Sequence, residues 1–344
     1  MTQGSQGGDG LEEALARIDA ALVAEDAPRA LAEAQAALAR WPGEPELYHA
    51  KGVALRADEK PEEALDALRE ALTRDPALTD ASLDAAEVLV EDMTDPVSAL
   101  EVLAQARRHA QEPAHLVEIE FLRGVALAQL EDFTGALAAL DAAARNDAAH
   151  ADVQAERGSV LIELLRLDPA EAALRESLRL AEENARAHEL LAFLLDYTGR
   201  REEAADHFGR AAALDPELPS QPPRLVQAEF DAAVDLALAA LPAPFRERLA
   251  NVEVAVEDYA SKDFCRRHDC SPTVLGIYVG TPLTERQPSQ PQALPDRIVL
   301  FQRSLENSCR DRDELVEEIA VTLKHEVGHL LGFSEEELHE RGYE

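Results

Sequence analysis

The sequence predicts a mainly α protein, an N-terminal array of repeated helical hairpins followed by a small α+β domain. Three observations predict it. Hydrophobic residues make up 46% of the 344 residues and aromatics only 4%, a balance that suits Ala- and Leu-rich helices better than a β-sandwich. Apolar residues recur at a spacing of 34 through much of the chain, the period of a helix-turn-helix unit. After the stretch Leu218-Pro219-Ser220-Gln221-Pro222-Pro223 that period ends and alternating, strand-like segments begin. At this length two folding units are expected, each able to bury a core.

Residues 1–10, rich in Gly, Ser and Gln, carry no apolar period and read as a flexible tail. About six repeats then cover residues 11–217. Gly124, Gly158 and Ala192 align at steps of 34, as do Leu127, Leu161 and Leu195, and Leu140, Leu174 and Phe208. The unit holding Ala86, Ala99, Leu103 and Ala106 is stretched by a few residues. Small residues let two helix backbones approach, and large ones fill the neighbouring hole. The run Tyr48, Gly52, Leu55, Ala64, Leu68, Ala71, Pro76 resembles the tetratricopeptide repeat, although Trp41 ends its unit instead of opening it. That resemblance implies a solenoid that binds peptides or protein partners on a concave face.

Residues 218–224 form a Pro-rich linker, and residues 225–344 a second domain expected to fold by itself. Its expected elements are a helix over Arg224–Leu241 and strands over Val252–Val256, Leu275–Val279 and Arg297–Gln302. The last two strands flank a Pro- and Gln-rich loop from Pro282 to Pro295. Asp311 followed by Glu314 makes a capping-box-like start for a final long helix ending at Leu331, with Gly332 as its left-handed stop.

That helix reads His325-Glu326-Val327-Gly328-His329. Histidines four apart project from one helix face and can reach one metal ion, while Glu326 is rotated toward a water bound to that metal. This is the spacing of zinc-dependent hydrolases. Zinc would acidify the water and polarise the scissile carbonyl, with Glu326 as general base. Too few residues follow His329 for a ligand on a separate inserted helix. Glu335 is the leading third ligand, because Gly332 and Glu335 continue the spacing His-Glu-x-x-His-x-x-Gly-x-x-ligand; Glu336 and His339 are its alternatives. Metzincins share this spacing but need a methionine turn after it, and the only methionines are Met1 and Met93.

From about Leu225 to Tyr343 the chain resembles the bacterial minimal-zincin family. The resemblance rests on Asn251-Val252 with Val256-Glu257-Asp258, on Leu275 to Leu283, on Leu294 to Ile298, and on Thr322 to Ser334. It implies a compact α+β domain, zinc held by His325 and His329, and Glu326 as catalytic base. The family usually has aspartate where this chain has Glu335. Its strand next to the zinc helix is an edge strand, so Arg297–Gln302 is expected to border the cleft and pair with an extended peptide.

Cys265, His268, Asp269 and Cys270 could hold a second metal together with Cys309, but the four-residue gap and the lack of a second pair favour an ordinary surface loop. An odd set of three cysteines argues against a disulfide framework. The formal net charge of -35 makes nucleic acid and anionic membrane poor partners. With neither a membrane span nor a signal-like start, the expected location is the cytoplasm. The functional expectation is a zinc-dependent metallopeptidase whose repeats recruit a protein or peptide substrate. Its rival is a non-catalytic zinc-binding or repeat-based interaction protein with an inactive zincin domain.

Overall fold

The structure, a computed structural model, describes residues 8–216, 218–219, 222–249, 252–286 and 296–340. The chain divides into two compact units, Met1–Val160 and Leu161–Glu344. Twelve helices among the described residues come in six successive pairs. They are α1 (Gly8–Val23) with α2 (Ala27–Arg40), α3 (Pro45–Ala57) with α4 (Pro61–Arg74), and α5 (Thr79–Glu87) with α6 (Pro96–His109). The series continues with α7 (Pro113–Gln129) and α8 (Phe133–Asn146), α9 (Ala151–Glu163) and α10 (Leu167–Leu180), and α11 (Ala185–Tyr197) and α12 (Arg201–Leu214). Helix α1 therefore begins three residues before the expected start of order at Leu11; residues 1–7 of the expected tail lie outside the described residues.

The 34-residue spacing has a visible cause. A Cβ on Gly52 would stand 2.6 Å from Leu68 Cγ, and one on Gly124 would stand 2.6 Å from Leu140 Cγ. The small residue on the first helix of a pair is thus the seat of the large residue on the second. Gly124→Ala should cost about 1–3 kcal/mol by overpacking, read as a lower urea midpoint. The stretched unit absorbs its extra residues as a π-helical turn, Val88–Asp92, closed by Met93 N–H donating to Val88 O at 3.0 Å.

Turns within each pair share one device that the amino-acid pattern hides. Glu25, Glu59, Thr94, Glu131, Leu165 and Gly199 all have positive φ, and only the last is glycine. Histidines, which carry no spacing signal, bridge neighbouring pairs: His49 reaches Asp84 at 2.5 Å, His115 reaches Asp80 at 2.9 Å, and His150 reaches Glu118 at 3.2 Å.

In the second unit, helices α13 (Gln227–Ala240) and α14 (Ala243–Arg248) precede a three-stranded sheet. Its strands are β1 (Glu253–Glu257), β2 (Gly276–Val279) and β3 (Arg297–Phe301), in the order β1-β3-β2. Strand β1 runs parallel to β3 and β2 antiparallel to it. Helix α15 (Lys262–His268) lies between β1 and β2 in sequence; α16 (Gln302–Ser308), α17 (Arg312–Leu331) and α18 (Glu335–Glu340) follow β3. Alternate residues of β3 face opposite sides, as strand geometry requires. Ile298 and Leu300 pack with Phe230 and Val234 of α13 and Ile319, Leu323 and Val327 of α17; Val299 and Phe301 pack with Ala260 and Cys265.

Two expectations are corrected here. Strand β3 is central and paired on both sides, so it has no free edge for a peptide; the edge beside α17 belongs to β2. The expected loop at Cys265 is helix α15, with Cys265 buried. Burial pushes its thiol up to about 12. Cys309 lies in the core on the other face of the sheet, so the three thiols do not converge.

The last repeat and the sheet belong to one unit through a buried polar network. Tyr259 donates its hydroxyl to Asp196 at 2.6 Å, and Asn307 donates to Tyr259 at 2.7 Å. Arg224 bridges Asp196 at 3.3 Å and Glu306 at 3.0 Å. Glu306 also accepts from Leu225 N–H and from Gln302. The Asp196 and Glu306 side chains are 2% and 1% exposed, and burial, then the charge of Asp196, pushes the Tyr259 hydroxyl far above its ordinary range.

Candidate metal centre

Helix α17 is positioned by its ends and by one apolar face. Asp311 caps it, accepting from the N–H groups of Asp313 and Glu314. The Glu314 carboxylate reaches back to Arg310 N–H at 2.6 Å, one residue earlier than a standard capping box. Leu315, Ile319, Leu323, Val327 and Leu330 are fully buried along one stripe. Gly332 ends the helix at φ +86°, and a Cβ there would also lie 2.0 Å from Thr284 Oγ1, so both backbone and packing demand glycine.

His325 and His329 emerge half-buried from the last two turns. Their Nε2 atoms face each other at 2.9 Å, with the rings 77° apart. Two imidazoles on a tetrahedral zinc, with Zn–N about 2.0–2.1 Å, hold their nitrogens roughly 3.3 Å apart. The pair therefore fits a zinc ion with little adjustment.

Glu326 is buried, at 6% exposed, and its Oε2 accepts from Tyr278 N–H at 2.6 Å. The close approach of α17 to β2 depends on Gly276, where a Cβ would stand 2.7 Å from Thr322 Cγ2. Tyr278 is itself braced. Its hydroxyl lies 2.8 Å from Asp296 Oδ1, and Arg286 donates to Asp296 Oδ2 at 2.6 Å and to Thr281 O at 2.9 Å. Burial first, and the Asp296 carboxylate second, push the Tyr278 hydroxyl up to about 12. Tyr278, Asp296 and Arg286 were not singled out as site residues from the sequence. The pairing of Tyr278 with Asp296 across the Pro-rich loop was the available signal, since both fall in the segments that carry the family resemblance.

The third-ligand candidates sit on or beside α18. Ser334 and Glu337 form the expected capping box, with Ser334 N–H donating to Glu337 at 2.9 Å and Glu337 N–H to Ser334 Oγ at 3.3 Å. Buried Leu338 packs onto the bare backbone of Gly328, where a Cβ would stand 2.2 Å from it. This returns α18 to the last turns of α17. The side chains of Glu335 and Glu336 lie outside the described residues, and His339 is exposed. Among the described residues no group of three or more His, Cys, Asp or Glu side chains converges to hold a metal.

A cleft of about 260 Å³ runs along this face of α17, lined by Val274, Leu275, Gly276, Glu318, Val321, Thr322, His325 and Glu326. Leu275 O accepts from Phe301 N–H on the β3 side. By the two-residue period of an antiparallel ladder, Ile277 and Val279 also face β3, and the backbone groups of Gly276 and Tyr278 face outward; Gly276 lines the cleft, and the Tyr278 N–H is taken by Glu326.

Comparison with known proteins assigns the two parts separately. A family model described as zincin-like metallopeptidase matches residues 249–343, and one described as tetratricopeptide repeat matches residues 45–78. Solved structures share the helical-repeat fold. The PilF protein of Pseudomonas aeruginosa matches with a TM-score of 0.53 at 21% identity, covering 65% of this chain and 99% of that one. PilW, described as a widely conserved type IV pilus biogenesis factor, matches with a TM-score of 0.55 at 15% identity, covering 60% and 94%. No curated protein matches the chain significantly. No helix among the described residues is long and apolar enough to cross a membrane. The chain thus combines a tetratricopeptide-repeat region of solenoid type with a C-terminal segment similar to zincin-like metallopeptidases.

Proposed function

We propose that the C-terminal segment is a zinc-dependent peptidase and that the repeats recruit its protein substrate in the cytoplasm. The observation that carries this reading is the pair of Nε2 atoms 2.9 Å apart, beside a buried carboxylate one residue along the same helix, at a cleft. His325 and His329 would hold the metal, with Glu335 as the proposed third ligand and Glu336 or His339 as alternatives. Zinc, when bound, supplies a Lewis acid that polarises the scissile carbonyl and acidifies water.

The protein's own residues do the rest. The outward backbone groups of Gly276 and the carbonyl of Tyr278, whose N–H is held by Glu326, offer an extended peptide a strand edge, a role that moves from β3 to β2. Glu326 takes the proton of the attacking water and returns it to the leaving amine. Its hydrogen bond from Tyr278 N–H holds the carboxylate in one orientation, and the Tyr278–Asp296–Arg286 brace fixes that strand.

Glu326→Gln should keep the zinc content of the wild type and lower peptide hydrolysis by about a hundred- to ten-thousandfold, the usual worth of a general base. Metal analysis beside a hydrolysis assay on the same samples checks it. Unchanged hydrolysis would remove Glu326 from its role.

A further inference from the structure

Seven residues before His325, and so two helical turns along nearly the same face, stands Glu318. Its half-buried carboxylate lines the far end of the cleft from His325 and Glu326. The walls between are Val274, Leu275, Gly276, Val321 and Thr322, apolar or small apart from the Thr322 hydroxyl. Glu318 accepts from the Thr322 hydroxyl at 3.3 Å, and among the described residues no Lys or Arg lines the cleft. Elsewhere on the same helix Glu314 is neutralised by Arg310. Glu318, among the described residues, has no ion-pair partner. A carboxylate at the end of a largely apolar trough, with no cation beside it among the described residues, is built to receive a cation from outside.

We infer that this cleft takes a lysine or arginine side chain of the bound peptide, with Glu318 as the residue that selects it. The inference rests on the peptidase reading for the orientation of the peptide along the cleft. The lengths agree: two helical turns separate the Cα atoms of Glu318 and His325 by about 10.5 Å along the axis. A lysine or arginine reaches about 6–7 Å from its own Cα, and the Glu318 side chain covers the remainder. The methylene stem would lie against Leu275 and Val321, and the charged end would meet the carboxylate. The net charge of -35 draws basic segments toward the protein in the same sense.

The test uses the full chain carrying Glu326→Gln, so that peptides bind without turnover. Capped hexapeptides of alanine and glycine, with one lysine or one norleucine moved through the six positions, are titrated calorimetrically. At one position lysine should bind about tenfold tighter than norleucine, the worth of one charge-assisted contact. Adding Glu318→Gln should bring the two peptides to equal affinity, and Glu318→Lys should turn the preference toward a glutamate peptide. Absence of any lysine preference, or a preference that survives Glu318→Gln, overturns the inference. If the preference depends on Glu318 while the zinc-loaded wild type leaves the same peptide intact, the cleft assignment stands and the peptidase reading falls.

Discussion

Replacing His325 or His329 with alanine is expected to weaken zinc binding by at least about a hundredfold, because even outer-shell losses at metal sites cost roughly ten- to a hundredfold. Peptide hydrolysis should fall with it. The two Nε2 atoms lie 2.9 Å apart on one side of the helix, so either alone leaves a single nitrogen donor on α17. The fold should survive, since the stripe that seats the helix is Leu315, Ile319, Leu323, Val327 and Leu330, and both histidines project away from it. Metal stoichiometry after dialysis, together with circular dichroism, checks both halves. Wild-type zinc content in either variant would show that the metal lies elsewhere.

The second large effect concerns where the C-terminal unit begins. A fragment starting at residue 218, behind the Pro-rich stretch, is expected to be strongly destabilised or insoluble, whereas residues 151–344 should fold. Cutting at 218 removes Asp196 from Tyr259, Asn307 and Arg224, and takes Tyr197 from Ala260 O. Breaking one buried charged pair costs about 3–5 kcal/mol, much of the 5–15 kcal/mol that a domain has. The cut also strips Leu165 from the apolar cluster that includes Val299 and Phe301. Urea unfolding of the two fragments measures the difference. Equal stability would mean that the Pro-rich boundary marks a self-sufficient domain.

How much of this was legible in the sequence follows from the range of the interactions involved. The helical repeats were legible because a small residue on one helix must meet a large one on the next, and Gly52 with Leu68 repeats as Gly124 with Leu140. The histidine pair was legible because one helix fixes its geometry over four residues. The strand order was not, since nothing local distinguishes β3 as the central strand from β3 as an edge. Asp196 on α11 looks like any solvated helix carboxylate until Tyr259 and Arg224 arrive from distant positions. Glu318 is hidden for the same reason: it acquires meaning only when Val274–Gly276 forms the opposite wall of its cleft. The left-handed turns at Glu25, Glu59, Thr94, Glu131 and Leu165 carry no glycine to announce them.

The most direct measurement is the coordination shell of zinc in the metal-loaded protein, by crystallography or X-ray absorption. The account predicts Nε2 of His325 and His329 at about 2.0–2.1 Å. It further predicts a third protein ligand from the start of α18, Glu335 foremost, and an open position on the cleft side beside Glu326. Zinc held by Cys265 and Cys270, zinc with all four positions filled by protein, or no zinc at all would contradict it.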